Sequence, residues 1–131
     1  MPSHVVRKIT HALNIHKKSI NGSKILILGV AYKKDVGDTR ESPALDIIEI
    51  LSRQEAEIIY NDPHVPQVNI GEGKWESLPL NENLLSQADC VVITTAHSSY
   101  DYKWIVGNAK VVVDTRNATK NLSNKEKIIK I

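Results

Sequence analysis

Two stretches of this chain carry cations where an anionic ligand could use them. The first reads Gly29-Val30-Ala31-Tyr32-Lys33-Lys34-Asp35-Val36-Gly37-Asp38-Thr39-Arg40-Glu41-Ser42. It sets Lys33, Lys34 and Arg40 between the end of an apolar run and a helix start, where free N–H groups already favour negative charge. Its spacing is neither the Gly-x-Gly-x-x-Gly of a dinucleotide turn nor the Gly-Lys-Ser/Thr of a Walker loop. Taken alone, it is equally well a solvated surface loop. The second stretch reads Val113-Asp114-Thr115-Arg116-Asn117. An arginine just past a buried strand can fork two donors onto a phosphate, although an Asp–Arg pair at a strand end is often structural. Thr94-Thr95-Ala96-His97-Ser98 offers hydroxyls and an imidazole, with His97 read as a satisfied or exposed histidine. Asp62-Pro63 could meet a ribose hydroxyl, and a plain turn explains it at least as well.

The elements that must position these residues follow from the apolar pattern. Val5, Ile9, Ala12, Leu13 and His16 recur at helical spacing over residues 3 to 18, and Asn21-Gly22-Ser23 then breaks the chain. Ile25-Leu26-Ile27-Leu28, ended by Gly29, suits a strand buried on both faces. Ser42-Pro43 starts a helix, with Ser42 as cap and Pro43 where a missing N–H costs nothing. Its apolar face is Ala44, Leu45, Ile47, Ile48 and Leu51. Further strands are expected over 57–60, 90–94 and 110–113, with a last edge strand over 127–131. Short helices are expected over 81–88 and 102–106. Residues 66–80 read as loop, with a short strand near Trp75. Strands alternating with helices imply parallel pairing and right-handed crossovers, hence an α/β, three-layer Rossmann-like sheet in a single domain. Ligands of such sheets sit beyond the carboxyl ends of the strands. That edge holds the loops after Leu28, Tyr60, Thr94 and Val113.

The chain has 131 residues, a formal net charge of +2 and one cysteine, Cys90. That charge gives no basic stripe for a long nucleic acid. A lone thiol in an apolar run, with no internal disulfide, fits a reducing, cytoplasmic compartment, and Cys90 should be buried and inert. No apolar run approaches a membrane span, and the start of the chain lacks the apolar run of a signal peptide. His4, His11 and His16 lack ligand spacing, so no metal is expected.

The stretch Lys24 to Asp35 with Asp38-Thr39-Arg40-Glu41-Ser42-Pro43-Ala44-Leu45 resembles the signature of the UDP-glucose/GDP-mannose dehydrogenase family. Tyr60-Asn61-Asp62-Pro63-His64-Val65-Pro66, Ala88 to His97, and Val113 to Asn117 are similar to its later landmarks, in order. Met1-Pro2, Val5-Val6 and Leu13-Asn14 resemble the segment joining the family's central helical domain to its C-terminal one. The pattern is most similar to UDP-N-acetylhexosamine and UDP-glucose members. The resemblance implies an NAD-dependent enzyme that oxidises the primary alcohol of a UDP-sugar to a uronic acid in two hydride transfers, in polysaccharide biosynthesis.

By the same resemblance, Tyr32, Lys33 and Arg116 contact the nucleotide sugar, and Arg40 reaches toward the phosphates of NAD. Cys90 falls on a landmark other than the catalytic cysteine. Residues 1–20 would be the end of the connecting helix and 21–131 the UDP-sugar-binding domain. The NAD-binding and central domains would be partners supplied from elsewhere, so this chain alone should bind but not catalyse. The alternative is a free-standing Rossmann-like nucleotide-binding or regulatory module. The family usually has a glycine before the second strand. Arg53-Gln54-Glu55-Ala56 departs from this, and the helix before it is expected to lack its left-handed terminal residue. The stripe on the first helix would either fold back on the sheet or meet a second copy, and self-association, as in a homodimer, is the expected outcome.

Overall fold

The computed structural model describes residues 2–123 and 126–130. Met1 and Ile131, expected in the connecting helix and the last strand, lie outside the described residues. The elements are α1 (Pro2–Ile15), β1 (Lys24–Leu28), α2 (Pro43–Arg53), β2 (Glu57–Asn61), β3 (Gln67–Ile70) and β4 (Gly73–Glu76). They continue as α3 (Glu82–Gln87), β5 (Cys90–Ile93), α4 (Tyr102–Asn108), β6 (Val112–Asp114) and β7 (Ile128–Lys130). Five strands form a parallel sheet in the order β2-β1-β5-β6-β7. This is the doubly wound arrangement expected from alternating strands and helices.

Side-chain alternation along the strands builds two cores. Ile25, Ile27, Cys90, Val92 and Val113 face α1 and α2, while Leu26, Leu28, Val91, Ile93 and Val112 face the layer of α3 and α4. The strands β1 and β5 are buried at every apolar position, as continuous apolar runs require.

Helix α1 buries Val5, Val6, Ile9, Ala12 and Leu13 in the first of these cores. The stripe therefore folds back on its own sheet, and the surface on which self-association was expected is already covered. His16 does not belong to the stripe: the helix ends at Ile15 and His16 is exposed. Lys17 takes φ 61°, its N–H bonds to Asn14 O at 2.9 Å, and Lys18 N bonds to Leu13 O at 3.0 Å. That pair of bonds is a Schellman termination made without glycine.

Helix α2 starts as its sequence indicates, with Ser42 at the cap accepting from Ala44 N and Pro43 in the first turn. Its end corrects the expectation. Glu55 adopts φ 66°, Glu55 N bonds to Ser52 O at 3.0 Å and Ala56 N to Leu51 O at 3.2 Å. The left-handed turn is present, and glutamate occupies it. Gly22 N bonds to Glu55 O at 3.0 Å and ties the turn to the segment before β1.

Residues 67–76 form an antiparallel hairpin rather than a loop with one strand. Gly71, at φ 58°, opens its two-residue turn. A bridge between Tyr60 and Ser77, with Leu78 N on Tyr60 O at 2.9 Å, joins the end of the hairpin to β2. No described helix is long and apolar enough to cross a membrane.

Candidate functional site

The carboxyl edge gathers the loops after β1, β2, β5 and β6. The loop after β1 turns at Gly29, whose φ is 86° and where an added Cβ would stand 2.7 Å from Thr95 O. Only glycine fits there. The threonines after β5 hold the turn: Thr94 Oγ1 donates to Gly29 O, and Thr95 Oγ1 donates to Ala31 O at 2.7 Å.

A buried carboxylate organises the next part of the loop. Asp62, just past β2, accepts from Val30 N at 2.8 Å and Ala31 N at 3.1 Å through one oxygen, and from His64 N at 2.8 Å through the other. Asp62 thus has a structural role, and its side chain is fully buried instead of open to a ribose. His97 is also fully buried, with Nε2 2.9 Å from Asp62 Oδ2. Its Nδ1 accepts from Asp35 N at 2.7 Å. Of the two readings the sequence left open, satisfied or exposed, the imidazole is satisfied and buried. Asp35 in turn accepts from Ser98 N at 2.8 Å and Ser98 Oγ at 2.6 Å. These bonds hold the Asp35 carboxyl below its ordinary range, the side-chain bond from Ser98 acting most strongly.

Side-chain atoms of Asp35, His64 and His97 come within 4.8 Å of one another, a grouping that the helical histidines did not suggest. The Nδ1 lone pair a cation would need at His97 is engaged by Asp35 N–H.

The loop after β6 is built around Asp114, which is 1% exposed. Burial acts to raise its pKa, but bonds from Thr119 Oγ1 and the N–H groups of Thr119, Arg116 and Ala118 outweigh it, and the pKa is lowered overall. Arg116 emerges from this turn exposed, its Nε donating to Thr94 O at 3.0 Å.

Three of the residues expected at the ligand come together. Tyr32, Lys33 and Arg116 line one cavity of about 430 Å³ with Lys34, Thr95 and Ala96. The ammonium of Lys33 stands 5.8 Å from the centre of the Tyr32 ring, and Lys33 makes no ion pair among the described residues. Arg116 also borders a second cavity of about 200 Å³, floored by Thr94 and Thr115 and walled by Pro2, Val5, Pro43 and Ile47. Arg40 does not join the first cavity. It is exposed, its Nε and Nη2 lie 3.1 and 3.0 Å from the Asp38 carboxylate, and it lines a separate recess with Tyr32, Asp38 and Glu41. An edge that pairs an exposed arginine with an unpaired lysine suits a pyrophosphate.

Residues 26–121 match the UDP-glucose/GDP-mannose dehydrogenase family, UDP binding domain. The chain belongs to this family. It is 32% identical over 125 residues to a UDP-N-acetyl-D-mannosamine dehydrogenase of Methanococcus maripaludis, covering 89% of this chain and 27% of that one. It is 34% identical over 127 residues to the enzyme of the same name from Pyrococcus horikoshii, covering 92% and 28%. The solved UDP-D-ManNAc dehydrogenase of Pyrococcus horikoshii superposes with a TM-score of 0.80 at 27% identity, over 99% of this chain and 30% of that one. The chain thus spans under a third of the length of these dehydrogenases. The carboxyl edge with its cationic cavity lies inside the matched residues.

Cys90 lies within the same match but away from solvent. It is fully buried in β5, and burial, helped by the neighbouring Asp89, pushes its thiol up to about 12. Burial and the raised pKa both disfavour the thiolate that a nucleophilic cysteine needs.

The Asp62–His97–Asp35 network is the part of the site that the sequence conceals. Asp62 and His97 are 35 residues apart, and their meeting depends on β2 and β5 flanking β1. The one local signal is that both closely follow apolar strands on the ligand edge.

Proposed function

We propose that this chain holds the nucleotide diphosphate of a UDP-sugar within an NAD-dependent dehydrogenase that oxidises the sugar's primary alcohol to a uronic acid. The observation that carries this reading is the convergence of Tyr32, Lys33 and Arg116 on one cavity at the carboxyl edge. Lys33 and Arg116 meet the pyrophosphate, and Tyr32 bounds the cavity beside Lys33. The names of the dehydrogenases to which the chain is similar support a UDP-linked amino sugar or glucose as the class of substrate.

NAD belongs to the whole enzyme. This chain lacks the Gly-x-Gly-x-x-Gly turn, and its contribution to the cofactor is Arg40, whose exposed guanidinium would exchange Asp38 for a phosphate. The cofactor accepts the hydride when bound. The residues of this chain hold the substrate's phosphates, and the groups that carry out the oxidation come from the other domains. Residues 1–20 lead from the central domain and 21–131 form the UDP-sugar-binding unit, in a cytoplasmic enzyme.

Calorimetry of the chain against UDP and NAD tests the reading. UDP should bind, NAD should show no measurable heat, and no NADH should form with any UDP-sugar. Arg40→Ala should leave the UDP affinity within about twofold of the parent, a change below ~0.5 kcal/mol. Binding of NAD in preference to UDP would overturn the assignment.

A further inference from the structure

We propose that His97 is a positioning residue for the nucleotide site: its Nδ1 pegs the far end of the cationic loop through Asp35 N–H. The inference rests on the function proposed above. The segment that carries Tyr32, Lys33 and Lys34 is held at both ends. At its near end, Val30 N and Ala31 N donate to Asp62. At its far end, Asp35 N donates to His97 Nδ1 at 2.7 Å. The two anchors are one unit, because His97 Nε2 and Asp62 Oδ2 are 2.9 Å apart with both side chains fully buried.

The pattern of bonds fixes the tautomer. An acceptor at Nδ1 carries no proton, so the proton of the neutral ring is on Nε2 and is donated to Asp62. Asp35 needs this hold for a second reason. Its φ is 63°, a conformation that costs a residue with a Cβ and persists only where the surroundings impose it. Ser98 secures the Asp35 carboxylate from the same side, through its N–H and its hydroxyl. The function is to remove conformational freedom before a phosphate arrives, so that less order is lost on binding.

Two substitutions separate the two ring nitrogens. His97→Asn keeps an acceptor near the position of Nδ1 and loses the reach to Asp62. His97→Gln keeps a donor near the position of Nε2 and loses the acceptor for Asp35 N–H. His97→Gln should weaken UDP binding about tenfold and speed hydrogen exchange at the Asp35 amide, as loss of one part-buried bond and an ordered loop implies. His97→Asn should stay within about threefold of the parent and keep that amide protected. Ser98→Ala, which alters only an exposed hydroxyl, should also speed exchange at Asp35 and weaken UDP binding by about threefold. It serves if a buried substitution prevents folding, as a melting curve would show. The exchange measurement needs no ligand, so it reads the peg even if the chain does not bind UDP. Unchanged exchange at Asp35 in folded His97→Gln, or in Ser98→Ala where the former does not fold, overturns the proposal. So does faster exchange with unaltered UDP affinity.

Discussion

Arg116 donates from Nε to the carbonyl of Thr94 at 3.0 Å. One edge of its guanidinium is thereby fixed to the β5 loop, while the side chain still lines the cavity shared with Tyr32 and Lys33. A lysine has the charge but no second donor along its stem. Arg116→Lys should therefore lose most of what Arg116→Ala loses, about fivefold or more in UDP affinity. Titration of the two variants side by side decides this. Parent-like affinity in Arg116→Lys would mean that charge alone matters.

The end of α2 offers a gain in stability. Glu55 sits at φ 66° with the hydrogen bonds of a Schellman turn around it. A left-handed residue with a Cβ costs about 1–2 kcal/mol, against which glycine loses about 0.4–1 kcal/mol through the freedom of the unfolded chain. Glu55→Gly should stabilise by roughly 0.5 kcal/mol, visible as a rise of about 2 °C in the melting midpoint. A lower midpoint would mean that the glutamate side chain contributes more than the turn costs.

Asp114 should make stability depend on acid. Its folded pKa lies below the ordinary aspartate value of 3.8. Well above 3.8 the carboxylate is charged in both states and its stabilising contribution is complete. As pH falls below 3.8 the unfolded chain takes up the proton first, and the contribution is lost as pH passes through the folded value. Urea midpoints of the parent should fall between about pH 5 and pH 2 more steeply than those of Asp114→Asn, which should start lower at about pH 7. Parallel profiles would show that Asp114 does not contribute.

Much of this architecture is legible along the chain. The runs at Ile25–Leu28 and Cys90–Ile93 are continuous and apolar because both of their faces are buried, and Ser42-Pro43 marks a helix start through its own backbone chemistry. The hairpin at 67–76 is harder, because two four-residue strands bury little: Val68 is the one buried side chain among them. Periodicity alone carries α1 too far, to residue 18 instead of Ile15, because it does not register the Schellman turn that ends the helix. Glu55 misleads for a related reason, since residue type states a preference and the surrounding bonds decide the conformation. Lys33 and Arg116 are legible as cations at strand ends. The peg that sets Lys33 in place is not, because it joins residues from three loops whose adjacency exists only once β1 lies between β2 and β5.

The most direct test of the account is a calorimetric titration of UDP into the parent chain, Lys33→Ala, Arg116→Ala and the double variant, each at low and high salt. The parent should bind more weakly as salt rises, because exposed charges are screened. Each single substitution should reduce affinity roughly tenfold, or about 1.4 kcal/mol, without lowering the melting midpoint, since both side chains are exposed on loops. The double variant should bind most weakly and lose most of the salt dependence. If Lys33→Ala and Arg116→Ala both bind UDP as the parent does, with the same response to salt, the nucleotide does not occupy this cavity.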